Sequence, residues 1–157
     1  MMLPTNEQLA AAADNAVREI FATQFGIELQ SVAGARAAVV EPLHSHVTLS
    51  AGEIRGQINL QVGKSLAQWL LQRAWGPGHA IDAAALAEVG LELCNVLAGR
   101  LAAILQLPSP LELGLPQGGA AGIAGIPRGP DARLYQGFWQ QAGHQLQAQV
   151  ALGTGAS

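Results

Sequence analysis

The side chains best placed for chemistry in this sequence are Glu88, Glu92 and Asn95, with Gly99 completing the same spacing. Steps of four, three and four residues put them on one stripe of an α-helix: Glu92 and Asn95 are neighbours, with Glu88 a turn before and Gly99 a turn after. Two carboxylates and a carboxamide arranged in this way can engage one object together. Ala98, Ala102 and Ala103 are expected at the flanks of the stripe, too short to screen it, so another protein can approach closely. Glycine inside a helix costs about 1 kcal/mol relative to alanine, which suggests that Gly99 is kept for clearance beneath Asn95. Pattern alone also describes a plain solvated helix face.

The element that must carry these residues spans positions 82 to 106, the longest stretch with a helical period. Leu86, Val89, Leu93, Val96, Leu97, Leu101 and Ile104 recur at three- and four-residue steps and predict a buried stripe opposite the polar one. Asp82 is its N-cap and Pro108 closes it. Cys94, the only cysteine, sits beside the apolar stripe and reads as a small buried hydrophobe.

Glu92, Leu93, Cys94, Asn95 and the following Gly99, with an acid four residues earlier at Glu88, resemble the Glu-x-x-Asn-x-x-x-Gly signature of the CheC/CheX/FliY chemotaxis phosphatases, the CheX branch above all. The resemblance extends loosely over residues 5 to 152. It takes in the hairpin-like segment Gly56 to Leu60 before the helix, Leu115-Pro116 after it, and the N-terminal helix that runs into Phe25-Gly26-Ile27-Glu28.

The chain is 157 residues long, the size of one domain, and half of it is apolar. We read 1–157 as a single domain with an ordered core over 5–152 and a frayed tail over 153–157. Charged residues make up 12% and the net charge is −3, so no basic surface for nucleic acid or anionic lipid is expected. No run approaches the ~18 apolar residues of a membrane span, and the N-terminus lacks a secretory pattern, which places the protein in the cytoplasm.

Thr5 and Gln8 form a capping box for a helix that turns Leu9, Ala13, Val17, Ile20 and Phe21 inward, and Gly26 can end it. Asp14 and Arg18 read as a weak surface pair. A short strand is expected within Ile27 to Val32, and 34 to 44 is left unassigned. Period-two alternation marks a hairpin, Val47, Leu49 and Ala51 against Ile58, Leu60 and Val62, and a second one, Leu134 to Trp139 against His144 to Leu152. Ser65 with Gln68 is expected to cap a helix that packs Leu66, Trp69, Leu70 and Ala74 and stops at Gly76. Trp69 and Trp75 read as packing residues. Leu111 to Leu115 is a strand candidate. His44 and His46 share a strand face without a third ligand nearby, so no metal site is assigned. The glycine-rich stretch 117 to 127 lacks the Gly-Lys-Ser/Thr ending of a phosphate-binding loop and reads as a connection. Each half of the chain reads helix, short strand, hairpin, a candidate internal repeat, yet no Glu-x-x-Asn stands among Ala10 to Asn15, so one working site per chain is expected.

These elements predict an α+β domain, helices packed on one face of an antiparallel sheet, with the pseudo-repeated CheC-like architecture that the resemblance implies. The other sheet face is polar, lined by Gln57, Asn59, Gln61, Gln145, Gln147 and Gln149, and faces solvent or a second subunit. The resemblance implies a phosphatase for the aspartyl phosphate of a CheY-type response regulator. Asn95 would position the attacking water, Glu92 would dock the receiver's lysine, and Glu88 and Gly99 would support them. It also implies a homodimer, and no cofactor of the chain's own, since Mg2+ comes with the phosphorylated receiver. An inactive receiver-binding or scaffold module would use the same residues.

Overall fold

The computed structural model describes residues 3–32, 38–76, 78, 81–119 and 131–154, apart from the side chain of Trp75. The first helix, α1 (Asn6–Ile20), starts as its sequence dictates: the Thr5 side chain accepts from the Gln8 amide at 3.1 Å, and the Gln8 side chain accepts from the Thr5 amide at 2.9 Å. A π-helical turn, Phe21–Phe25, continues it, and Gly26 ends it at φ +68°. Thr23 donates to the Glu19 carbonyl at 2.7 Å in this turn, a side-chain bond that competes with the helical ladder. A short strand, β1 (Gln30–Ser31), follows, then the hairpin β2 (Pro42–Ala51) and β3 (Ile54–Gly63), turning at Gly52 and Glu53.

Helix α2 (Lys64–Trp75) begins directly from β3, with Gly63 as N-cap and no side-chain cap. The expected Ser65 cap is therefore corrected: its hydroxyl lies 3.0 Å from His144 Nδ1, a partner distant in sequence. The long helix α3 (Ala83–Ile104) leads to the short strands β4 (Leu111–Leu113) and β5 (Gln117–Gly118), and the chain closes with the hairpin β6 (Arg133–Gln141) and β7 (His144–Thr154). The tail expected to fray from 153 is instead paired at its start. Gly153 and Thr154 oppose Arg55 and Ile54, and the Thr154 hydroxyl donates to Asp131. Residues 155–157, 33–37 and 120–130 lie outside the described residues, as does most of the glycine-rich segment.

All strands pair antiparallel in one sheet of order β1-β6-β7-β3-β2-β4, with β5 also on β2. Read outward from the central β7-β3 pair, the order is that of two related halves, α1-β1-β2-β3 and α3-β4-β6-β7. The short strand of each half pairs with the hairpin of the other: β1 lies on β6, and β4 on β2. Helix α1 accordingly packs on β6 and α3 on β2. The repeat expected from the sequence is thus present, with its short strands exchanged between halves.

The core lies between sheet and helices, where Val47, Leu49, Ile58, Leu60, Leu146 and Val150 meet Leu9, Val17, Leu66, Leu97 and Leu101. Burial of this apolar surface drives the fold. Gly56 sits where β3 is pressed between its neighbours; a Cβ there would come within 2.9 Å of the Ala151 carbonyl oxygen and 2.5 Å of Leu152 Cδ2. The polar sheet face differs from a freely solvated one. Gln57 is only 8% exposed, and a row of carboxamides crosses the strands: Gln57 donates to Asn59 (2.7 Å), Asn59 to Gln149 (3.4 Å) and Gln149 to Gln136 (3.3 Å). Gln57, the buried member of the row, keeps its amide satisfied in this way.

Candidate functional site

Helix α3 is fixed at its start by Asp82, whose carboxylate accepts from the Ala85 amide at 2.8 Å. Its inner face buries Leu86, Leu93, Cys94, Leu97 and Leu101. Ser45 anchors it to the sheet beneath by donating to the Gly90 carbonyl at 3.0 Å, and Arg100 ties it to α1 through both carboxylate oxygens of Glu19 at 2.7 Å. The sequence reading missed this pairing because Glu19 and Arg100 are 81 positions apart.

On the outer face Glu88, Glu92 and Asn95 are exposed and Gly99 is half-buried, in the order that the spacing predicts. Two expectations about their surroundings are corrected. Ala98 and Ala102 do not flank the stripe; they are 0% and 3% exposed and face the sheet, so only Ala103 of the three remains outside. Phase alone leaves Ala102 only about 20° from Asn95; this flank is covered because α3 packs on β2, β4 and β5 along that side. Conversely Val89, Val96 and Ile104, expected in the buried stripe, are half-buried shoulders of the helix. At Gly99 a Cβ would meet only Leu113 Cδ1, at the ordinary distance of 3.9 Å, so the room left by this glycine lies outside the chain's own packing.

The crest of α3 has different walls on its two sides. By helical phase Asn95 leans roughly 60° to one side of Glu92, while Val96 and Val89 lie roughly 40° and 60° to the other. On the valine side a groove of about 680 Å³ opens between α2, the π-helical turn and α3, lined by Glu92 and Val96 on one wall and Leu70, Arg73 and Phe25 on the other. Among the described residues no hydrogen bond or ion pair engages Glu92, Glu88 or Asn95, so all three heads are available to a partner.

Cys94 lies directly beneath the crest, fully buried, with its sulfur 3.8 Å from the Ile58 carbonyl. Burial pushes its thiol up from 9.0 to about 11, against a smaller lowering by the Ser45 hydroxyl. The unfolded chain then loses the thiol proton before the folded one does, so between pH 9.0 and about 11 the unfolded state binds fewer protons and stability falls as pH rises. Urea unfolding should show a loss on the order of 2 kcal/mol across this window. The Cys94→Ala variant should show a shallower decline; an identical decline would remove the thiol as its cause.

Helix α1, the counterpart of α3, exposes Ala11, Asn15 and Arg18, and the turn that continues it exposes Ala22, at the same four-three-four spacing. This face has neither a carboxylate nor a paired amide in the positions of Glu92 and Asn95, and Arg18 lies 3.6 Å from Asp14. Asp14, expected to be only a surface partner of Arg18, also accepts from Trp139 Nε1 at 2.9 Å. His44 and His46 do stand on one strand, with His46 Nδ1 3.2 Å from the Gly119 carbonyl. Among the described residues no three metal-ligating side chains come together. Nor, among the described residues, is any helix long and apolar enough to cross a membrane.

No protein-family model matches the sequence, and no curated protein is significantly similar to it. Solved structures do match. The chemotaxis protein CheX of Vibrio vulnificus superimposes with a TM-score of 0.69 at 11% identity, over 96% of this chain and 100% of that one. CheX of Desulfovibrio desulfuricans gives 0.70 at 13% identity, over 93% and 99%. A chain of the CheX–CheY–BeF3–Mg2+ complex of Borrelia burgdorferi gives 0.61 at 14% identity, over 93% and 96%. At these identities the likeness is one of fold, and the chain has the CheX-like α+β fold.

Proposed function

We propose that this chain hydrolyses the aspartyl phosphate of a CheY-type response regulator receiver domain. The observation that carries the reading is the pairing of an exposed carboxylate, Glu92, with an exposed carboxamide, Asn95, one turn apart on the crest of a rigidly seated helix in a CheX-like fold. A CheX–CheY complex among the structural matches supports a CheY-type partner.

An acyl phosphate is hydrolysed when water attacks phosphorus in line with the bond to the aspartyl oxygen; that bond breaks, leaving inorganic phosphate and a free carboxylate. Mg2+ belongs to the phosphorylated substrate, and this chain carries no cofactor of its own. The Asn95 amide donates to and accepts from one water, holding it opposite the leaving oxygen. An amide has no useful proton affinity at neutral pH, so Asn95 acts by position and polarisation and not as a general base. Glu92 pairs with the receiver's lysine and sets the register in which the helix docks, a charge-assisted contact that desolvation strengthens. Glu88 adds negative charge a turn earlier, and Gly99 lets the partner approach. The protein works in the cytoplasm as a homodimer, one site per chain.

The test is the rate of phosphate loss from phosphorylated receiver domains of the same cell, with and without the protein. Acceleration at substoichiometric protein is the expected result. Binding to a phosphorylated receiver without acceleration would replace the phosphatase reading with that of a scaffold module, and neither binding nor acceleration would remove both.

A further inference from the structure

We infer that the groove between α2 and α3 receives an apolar side chain of the receiver domain, next to the lysine that Glu92 meets. This inference rests on the phosphatase reading for the identity of the partner, and on the groove itself for the rest. Glu92 belongs to both features: it stands on the exposed crest and lines the groove. A partner whose cation reaches Glu92 therefore stands at the edge of the groove, on the side of the crest away from Asn95.

The lining suits such a contact. Phe25, Val89 and Val96 are apolar and pack at the edge of the core, each half-buried and so partly open to the groove, which Leu70 and Leu93 also line. Two charges of opposite sign stand on the rims. Glu92 forms one; the other is Arg73, whose Nη2 donates to the Phe25 carbonyl at 2.9 Å and whose guanidinium lies 5.0 Å over the Trp69 ring. Arg73 is thereby held in place before any partner arrives. An apolar floor between fixed charges is the form of an anchoring pocket at a protein interface, where a buried side chain supplies affinity and the rim supplies register. The complementary surface is an apolar side chain with a cation on the Glu92 side and a carboxylate or carbonyl on the Arg73 side. At about 680 Å³ the groove has room for more than one side chain, as a turn of helix or a folded loop would present.

The experiment compares Ala74→Glu, an exposed position on the groove wall, and Val89→Asp with the wild-type protein, using phosphorylated receiver as substrate. Both variants should raise KM about tenfold, with most of the loss in KM and not in kcat, and Ala74→Glu should do so with an unchanged unfolding midpoint. An unchanged KM in a folded Ala74→Glu variant overturns the proposal. If the wild-type protein proves to bind the receiver without accelerating hydrolysis, the same comparison is read as Kd: a tenfold weakening keeps the groove as a receiver contact although the phosphatase reading has failed. A change in self-association by light scattering, with receiver affinity intact, assigns the groove to a second copy of this chain and overturns the proposal.

Discussion

Replacing Asn95 with alanine should lower the turnover of a phosphorylated receiver about 100-fold while leaving its binding within a few-fold. The size follows from the role proposed for the amide. Losing one group that orients or polarises at the reacting centre costs on the order of 10²–10³ in rate, because the water must then be found and aligned without a fixed partner. Binding should survive because Asn95 is exposed on the crest, so its truncation leaves no buried polar group unpaired and no cavity. Helix α3 keeps its Asp82 cap, its Ser45 anchor and its Glu19–Arg100 tie in the variant. Removing the carboxylate with Glu92→Ala should give the opposite pattern, a higher KM with a smaller change in kcat, since the proposed mechanism has Glu92 dock the receiver without touching the water. Full turnover by Asn95→Ala would discard the water-positioning role and leave Asn95 as one contact among several.

Trp139→Ala should cost about 3–5 kcal/mol, the largest single loss of stability expected in this molecule. Trp139 is fully buried on the helix side of β6, where α1 packs, and it joins the two by donating its indole N–H to Asp14 at 2.9 Å. Alanine there leaves both a large cavity and a carboxylate without its donor. Trp139→Phe separates the two terms: it fills most of the space and forfeits only the hydrogen bond, for about 1–2 kcal/mol, because Asp14 is 30% exposed and water replaces part of what is lost. Burial, and then the Asp14 carboxylate, raise the nearby Tyr135 phenol above its ordinary value. A domain of this kind is stable by about 5–15 kcal/mol, so Trp139→Ala removes a large share of the total. A urea midpoint close to that of the wild type for Trp139→Ala would show that α1 is seated by other contacts.

Features governed by neighbours in sequence were legible before the fold was known. The Thr5–Gln8 capping box, the Asp82 cap, the Gly26 terminus and both hairpins depend on residues within a few positions, where periodicity and capping chemistry act directly. The shared stripe of Glu88, Glu92, Asn95 and Gly99 was likewise fixed by helical geometry, and so was the absence of a comparable set on α1. Tertiary packing decided what surrounds them. It gave Ser65 to His144, 79 positions away, and not to its own helix N-terminus, and it bound Asp14 to Trp139 across 125 positions. It exchanged β1 and β4 between the halves, a pairing that no local pattern encodes, since each is too short to carry a register of its own. Finally it turned Val89 and Val96 from expected core into the wall of a groove beside Glu92. Hydrophobic period states which side of a helix avoids water, but how far round that side is covered depends on where the neighbouring helix lies, and α2 stands far enough from α3 to leave the shoulder open.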